Sequence, residues 1–115
     1  MKSIFLEHIN DLFDSYDLFS STGKKRIRSS IITRFPDISD KEIKEAEDYL
    51  YSFYEYCLKY ADMIADKYKT PFLPKGENAQ KEISEYVGEC RKQYPEIDAE
   101  KIEGFFSTAC WLANR

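Results

Sequence analysis

Residues 38–68 read ISDKEIKEAEDYLYSFYEYCLKYADMIADKY and predict one long α-helix. Apolar residues recur there at alternating steps of three and four, a spacing that places them on one helical face. They are Ile43, Ala46, Leu50, Phe53, Cys57, Tyr60 and Ile64. Between Tyr49 and Ile64, further aromatic and apolar side chains fall on the other sides of the same helix. A helix that is hydrophobic on most sides needs several neighbours, so this stretch predicts a central helix covered by other helices or by a partner.

Signals at both ends place this central helix at about residues 40–69. Ser39 is a favourable N-cap, and Glu42, three residues later, completes a capping box. Lysines occur near the expected C-terminal end, where the helix dipole favours cations, and Pro71 follows.

Four shorter helices are predicted around the central one. Their expected positions are 3–19, 24–35, a helix capped by Asn78 and closed by Pro95, and a last helix capped by Asp98. No segment has the alternating pattern of a strand. With 115 residues the chain is long enough for a core without disulfides or metal. We therefore expect a single all-α domain over residues 1–115, an irregular five-helix bundle.

A short internal repeat predicts two similar helix corners. The sequence is FPDIS at 35–39 and YPEID at 94–98. In each, an aromatic residue and a proline end one helix, and an acid, an isoleucine and a capping residue begin the next. Two helix-corner-helix units joined by a linker at 70–78 are expected. Convergence on a favourable corner explains the match better than duplication does, because these capping signals are generic.

Composition favours a cytoplasmic protein. The net charge of −4 argues against nonspecific binding of nucleic acid by the whole chain. No apolar run approaches the roughly 20 residues of a membrane span, and the start, MKSIFLEHIN, is not typical of a signal peptide. Three widely spaced cysteines, Cys57, Cys90 and Cys110, fit reduced thiols better than a disulfide framework. We expect no contact with a membrane.

Motifs for catalysis, cofactors or metals are missing from the sequence. It contains no G-x-G-x-x-G, no P-loop and no G-x-S-x-G. His8 is the one histidine and has no candidate nucleophile nearby in sequence. The spacing of the cysteines does not suit zinc, and the Glu-x-x-His pairs of a di-iron bundle do not occur. The carboxylates of the long helix alternate with lysines, which is typical of a solvated surface. The sequence therefore predicts no enzyme, no cofactor and no metal.

Aromatic residues suggest binding of another protein. Aromatics make up 16% of the chain, mostly as nine tyrosines and eight phenylalanines, and tyrosine tolerates half-burial at contact surfaces. The candidate protein-binding residues are Tyr49, Tyr51, Tyr54, Tyr56 and Trp111. They favour a small inhibitor, an immunity-type protein or an adaptor, or a homodimer formed through the same surface. A simple bias in composition, and packing of Trp111 against the first helix, are the competing explanations.

The second helix carries the alternative hypothesis, a nucleic-acid-associated regulator. Lys24, Lys25, Arg26 and Arg28 are its candidate phosphate-binding residues, and the helix contains Arg34 and no acid. These cations do not share one face, and the helix after the corner begins with many acids. Internal pairing with the acidic first helix is therefore the favoured explanation of the positive charge.

Two smaller features complete the sequence predictions. The linker contains P-x-x-P spacing from Pro71 to Pro74, which suits a polyproline ligand. Packing of Phe72 and Leu73 under the bundle is favoured over that role. Gly88 and Gly104, both expected within helices, suggest a close helix crossing.

Overall fold

The computed structural model describes residues 8–20 and 22–115. Those residues form α-helices and no strands, so the prediction of an all-α fold is confirmed. The helices are α1 Ile9–Leu12, α2 Ser15–Phe19, α3 Gly23–Arg34, α4 Asp40–Tyr68, α5 Glu77–Gln93 and α6 Ala99–Asn114. The described part thus has six helices instead of the five expected. None of these six combines the length and the hydropathy that a membrane crossing needs.

The long helix α4 is the centre of the fold, with bounds within one residue of those predicted. The Oγ of Ser39 accepts a hydrogen bond from the amide of Glu42 at 3.3 Å, as expected of an N-cap. α4 contacts α2, α3, α5 and α6. Its buried residues are Ile43, Ala46, Leu50, Phe53, Cys57, Ala61, Ile64 and Ala65. The other helices therefore provide the cover that its sequence requires.

An aromatic cluster surrounds Phe53, which is fully buried. Its ring centroid lies 5.3 Å from that of Phe13, 5.5 Å from that of Tyr94 and 5.2 Å from that of Phe105. All three pairs are edge-to-face, the arrangement that the charge distribution of aromatic rings favours. The cluster joins α4 to α6, to the residue that ends α1 and to the residue that ends α5.

The first predicted helix, 3–19, is wrong in its continuity. Its residues 3–7 lie outside the described part, and the remainder is broken between α1 and α2. Phe13 and Asp14 have extended backbones there. The Asp14 carboxylate caps α2 by accepting from the amide of Asp17 at 3.1 Å. At the break, Phe13 is buried in the core against Phe53.

The two predicted corners have the same local geometry. The φ and ψ angles are −132° and 71° at Phe35 and −131° and 65° at Tyr94. The amide of Ile38 donates to the carbonyl of Phe35, and the amide of Ile97 donates to that of Tyr94, both at 3.1 Å. Each corner joins two helices that contact one another, α3 with α4 and α5 with α6.

The start of α5 differs from the prediction. The helix begins at Glu77 and its N-cap is Gly76, whereas the predicted N-cap was Asn78. Gly76 has a φ of 110°, a conformation that residues with a Cβ rarely adopt. Asp98 is the N-cap of α6 as predicted, although its side chain makes no capping hydrogen bond.

The linker packs differently from the expectation. Phe72 is 69% exposed, so the prediction that it packs under the bundle is wrong. Leu73 is half-buried and Pro74 is buried. A polyproline ligand needs both prolines accessible, and burial of Pro74 covers one of them.

Asn10 fastens α1 to the second corner. Its Nδ2 donates to the backbone carbonyl of Glu96 at 2.9 Å, and its Oδ1 accepts from the backbone amide of Asp98 at 2.7 Å. One side-chain amide thus satisfies one acceptor and one donor of the corner backbone. This contact holds the N-terminal helices against the start of α6.

We predict that Asn10→Ala lowers the free energy of unfolding by about 1–2 kcal/mol, since both hydrogen bonds are lost. Asn10→Asp keeps the acceptor but sets a carboxylate oxygen against the carbonyl of Glu96, so its loss of stability should be at least as large. Urea denaturation followed by circular dichroism measures both variants. Equal stability of Asn10→Ala and the original protein would contradict the role assigned to this side chain.

Candidate interaction surface

Tyr49 and Tyr56 lie on the side of α4 that faces the second corner. Both are half-buried. The hydroxyl of Tyr49 donates to the Glu96 carboxylate at 2.7 Å, and burial together with this bond raises the pKa of Tyr49. The ring centroids of Tyr49 and Tyr56 lie 5.3 and 6.0 Å from that of Tyr94. These two tyrosines therefore contact the corner of their own chain.

Tyr51 and Tyr54 are also half-buried, on the opposite side of α4. The ring of Tyr54 lies 5.3 Å from that of Phe19 and 6.0 Å from that of Phe105, measured between centroids. The hydroxyl of Tyr51 is buried without a hydrogen-bond partner in the described part, and burial raises its pKa. The four candidate tyrosines of α4 thus form two groups on different sides, each packed against the core.

A carboxylate on α5 organises further tyrosines. Glu82 accepts from Lys67 Nζ at 2.6 Å, from the hydroxyl of Tyr68 at 3.0 Å and from that of Tyr86 at 3.3 Å. These bonds, with the Lys67 contact foremost, lower the pKa of Glu82. The contact joins the end of α4 to α5 across the linker. Tyrosine hydroxyls on this side are therefore largely satisfied within the chain.

Arginines of α3 form ion pairs within the chain. Arg26 lies 3.2 Å from the Asp17 carboxylate of α2. Arg28 donates to both carboxylate oxygens of Glu47 on α4, at 2.7 and 3.3 Å, and this contact raises the pKa of Arg28. Pairing of these arginines within the chain agrees with the interpretation that the sequence favoured. The partner of Arg28 differs, because Glu47 belongs to α4 and not to the N-terminal helices.

The remaining cations of α3 extend this pattern in part. Arg34 lies 3.6 Å from the Asp11 carboxylate. Lys24 places its ammonium 5.0 Å from the centroid of the Tyr51 ring. Lys25 is exposed. Of the four candidate phosphate-binding residues, Lys24 and Lys25 thus carry no ion pair in the described part, whereas Arg26 and Arg28 do.

Trp111 is the most exposed of the five candidate protein-binding residues, since the four tyrosines are half-buried. It is 41% exposed on α6. Its ring packs edge-to-face against Tyr16 of α2, with 6.4 Å between centroids, and Tyr16 is itself 61% exposed. The Arg115 guanidinium lies 4.9 Å from the centroid of the Trp111 ring. Contact with the N-terminal helices therefore does occur, but it produces an exposed aromatic pair and does not bury the tryptophan.

A groove of about 510 Å3 runs between α2 and α6 beside this pair. We call it the α2–α6 groove. It is lined by Phe13, Asp14, Ser15, Tyr16, Glu100, Lys101, Gly104, Ser107 and Thr108. Trp111 follows Ser107 by one helical turn and closes the end marked by Tyr16. An open groove next to two exposed aromatic rings has the form of a binding surface for another molecule.

The glycine predictions are wrong, because neither glycine lies at a close helix crossing. A Cβ added at Gly88 would meet nothing within 4 Å, and one at Gly104 would meet Ser15 Oγ at 3.9 Å. Gly104 instead leaves the floor of the α2–α6 groove without a side chain.

Sequence reasoning missed Tyr16 and the groove. In the single helix predicted over 3–19, Tyr16 lies on the same apolar face as Phe13 and Phe19, which implies burial. The signal that was available is Asp14, a residue favoured at an N-cap, followed three residues later by a second acid. A helix that starts at that point would have predicted that Tyr16 lies outside the buried face.

Two observations concern metal-binding groups and thiols in the described residues. No group of three or more histidine, cysteine and acidic side chains in residues 8–20 and 22–115 is arranged to hold a metal ion. All three cysteines are buried and unpaired. A hydrogen bond with Cys90, together with burial, raises the pKa of Cys57, and burial raises that of Cys110. The thiols of Cys57 and Cys110 therefore remain protonated at neutral pH.

Comparison with protein-family models, with curated proteins and with solved structures found no match to this chain. We therefore infer function from the contacts, exposure and charge of the chain itself.

We predict that Gly104→Ala raises the free energy of unfolding by about 0.5–1 kcal/mol, because alanine is the better helix former and its methyl group has room. Gly88→Ala in α5 is a matched variant and should stabilise by a similar amount. Thermal and urea denaturation check both. A loss of stability in Gly104→Ala would show that α2 and α6 approach one another more closely than the structure indicates.

Proposed function

We propose that this protein is a small non-enzymatic interaction module, an inhibitor, an immunity-type protein or an adaptor, that acts by binding another protein. The observation that carries this proposal is the exposed pair Tyr16 and Trp111 beside the α2–α6 groove. Tryptophan and tyrosine contribute strongly to binding energy at protein interfaces, because they bury a large area with few rotatable bonds. Both residues lie on helices, which hold them in a fixed geometry.

The four tyrosines of α4 have a secondary place in this proposal. Tyr49, Tyr51, Tyr54 and Tyr56 are half-buried and already contact their own chain, so each offers only part of its ring to a partner. Homodimerisation through the aromatic surface is a variant of the same function. The buried, unpaired thiols support a cytoplasmic location, where thiols stay reduced.

We predict that Trp111→Ala removes or strongly weakens partner binding, by about 100-fold or more if Trp111 is a hot spot. The purified protein serves as bait in capture from a lysate, and each captured protein is then titrated against the variants. Met63→Ala is the control, since Met63 is also exposed but lies on α4, outside the α2–α6 groove. Light scattering on the bait alone tests the homodimer. A partner that binds Trp111→Ala and the original protein equally would refute this surface as the binding site.

A nucleic-acid-associated role is the second candidate, and exposure of Lys24 and Lys25 at the start of α3 favours it. Neither lysine forms an ion pair in the described part, although Lys24 lies over the Tyr51 ring, whereas Arg26 and Arg28 are paired with carboxylates of the chain. The lysine ammonium groups therefore fit phosphate contacts better than the arginines do.

If this second role holds, duplex DNA or RNA should bind at low salt and weaken as salt rises, with a slope of about −0.9 per phosphate contact on B-form DNA. Replacing Lys24 and Lys25 by alanine should reduce that slope. Fluorescence anisotropy with a labelled duplex measures both. No binding at low salt would exclude this role.

A further inference from the structure

The two ends of the α2–α6 groove differ in chemistry. Glu100 and Lys101 lie at the start of α6, which forms the end away from Trp111, and Lys101 is the one cation among the lining residues. The other carboxylate of the lining is that of Asp14, and both carboxylates are exposed. Asp98, the exposed N-cap of α6, adds a further acid next to that end. The Asp14 carboxylate accepts one hydrogen bond, from the amide of Asp17, and retains capacity for more. This end therefore attracts positive charge.

The other end of the groove is aromatic and already holds a cation. The guanidinium of Arg115 lies over the Trp111 ring, 4.9 Å from its centroid, in the arrangement of a cation–π contact. Tyr16 lies against the same ring. The face of Trp111 is thus accessible to a guanidinium from within the chain. An arginine of a partner would find the same electrostatic attraction there.

The floor between the two ends is low and polar. The smallest residues of the lining are Ser15, Ser107 and Gly104, which has no side chain. The hydroxyl of Thr108 is bonded to the carbonyl of Gly104 at 2.9 Å and is therefore satisfied within α6. A peptide backbone can approach such a floor closely, because no large side chain stands between the ends.

The length of the groove sets the length of the segment that fits. From Glu100 to Trp111 is eleven residues of α-helix, a rise of about 16 Å. An extended peptide covers that distance in about five residues, at roughly 3.3 Å each. Alternate side chains of an extended peptide share one face, so cations four or six residues apart would meet the carboxylates at one end and the Trp111 face at the other.

From this match of charge, shape and length, we infer that the α2–α6 groove binds an extended, arginine-rich segment of a partner protein. One arginine pairs with Asp14 and Glu100, the backbone passes over Gly104, and a second arginine lies on Trp111 in the place of Arg115. This inference rests on the proposed function and adds the chemistry of the partner to it.

Trp111 is the single tryptophan of the chain, so its fluorescence reports on the groove directly. The probe is an acetylated, amidated decapeptide of alternating arginine and serine, which contains no fluorophore of its own. Its glutamate–serine and glutamine–serine counterparts serve as controls of charge. We expect a saturable change in Trp111 emission with the arginine peptide alone, and weaker binding as salt rises. Equal binding of the glutamine peptide would overturn the inference.

Four variants separate the groove from the overall charge of the protein. Gly104→Ala adds a methyl group to the floor and should weaken the arginine peptide by about tenfold, whereas Gly88→Ala should leave its affinity unchanged. Asp14→Asn with Glu100→Gln should also weaken binding by about tenfold, and asparagine keeps the capability to cap α2. Glu55→Gln with Glu85→Gln removes two exposed charges elsewhere and should have little effect.

Because Gly104→Ala is expected to stabilise the fold, a loss of binding in this variant has no origin in unfolding. Unchanged affinity in Gly104→Ala would refute the groove as the site. Light scattering without peptide tests a second copy of the chain as the occupant. Self-association that is abolished when Lys24 and Lys25 are replaced by alanine would overturn the inference in favour of that second copy. If the peptide fails to bind while a partner still depends on Trp111, the inference fails and the proposed function stands. If neither depends on Trp111, both fail.

Discussion

One constraint governs this structure: α4 is hydrophobic on most of its sides and needs cover from several neighbouring helices. A single antiparallel neighbour cannot do this, and α4 accordingly contacts helices from both the N-terminal and the C-terminal parts of the chain. The Phe53 cluster is where these parts meet, since its rings come from three separate segments besides α4. Burial of large aromatic side chains of this kind is the main favourable contribution to such a fold.

The same constraint explains why so many polar groups of the chain are used internally. Tyrosine covers a hydrophobic helix while its hydroxyl still requires a partner, and Glu82 and Glu96 supply that partner. Two cations of α3 also contact residues of α4. Arg28 forms an ion pair with Glu47, and the ammonium of Lys24 lies over the ring of Tyr51. Several side chains that look available for binding in the sequence therefore help to cover α4. The α2–α6 groove differs, since its aromatic pair lies outside this cover.

The sequence predicted the regular parts of the fold well, and it missed what depends on a local break. Hydrophobic spacing and capping signals located α4 and both corners, because each signal acts within a few residues. The interruption at Asp14 was missed, since a helix start inside an apolar stripe leaves the period nearly intact. Trp111 was recognised because it lies off the stripe of α6, whereas Tyr16 became exposed only through that interruption. Local sequence patterns could not predict the groove, because it forms where Gly104 faces α2, a helix that is distant from it in sequence.

The contact made by Asn10 affects how the molecule assembles during its synthesis. Its two hydrogen bonds reach partners 86 and 88 residues later in the chain. While a ribosome is still producing α5, the second corner does not yet exist, so α1 and α2 can contact only α3 and α4. Tyr94 and Phe105, which cover Phe53, are also made late, so Phe53 lacks these two partners until α6 has been synthesised. Contacts between such distant parts of a chain are typical of slower folding.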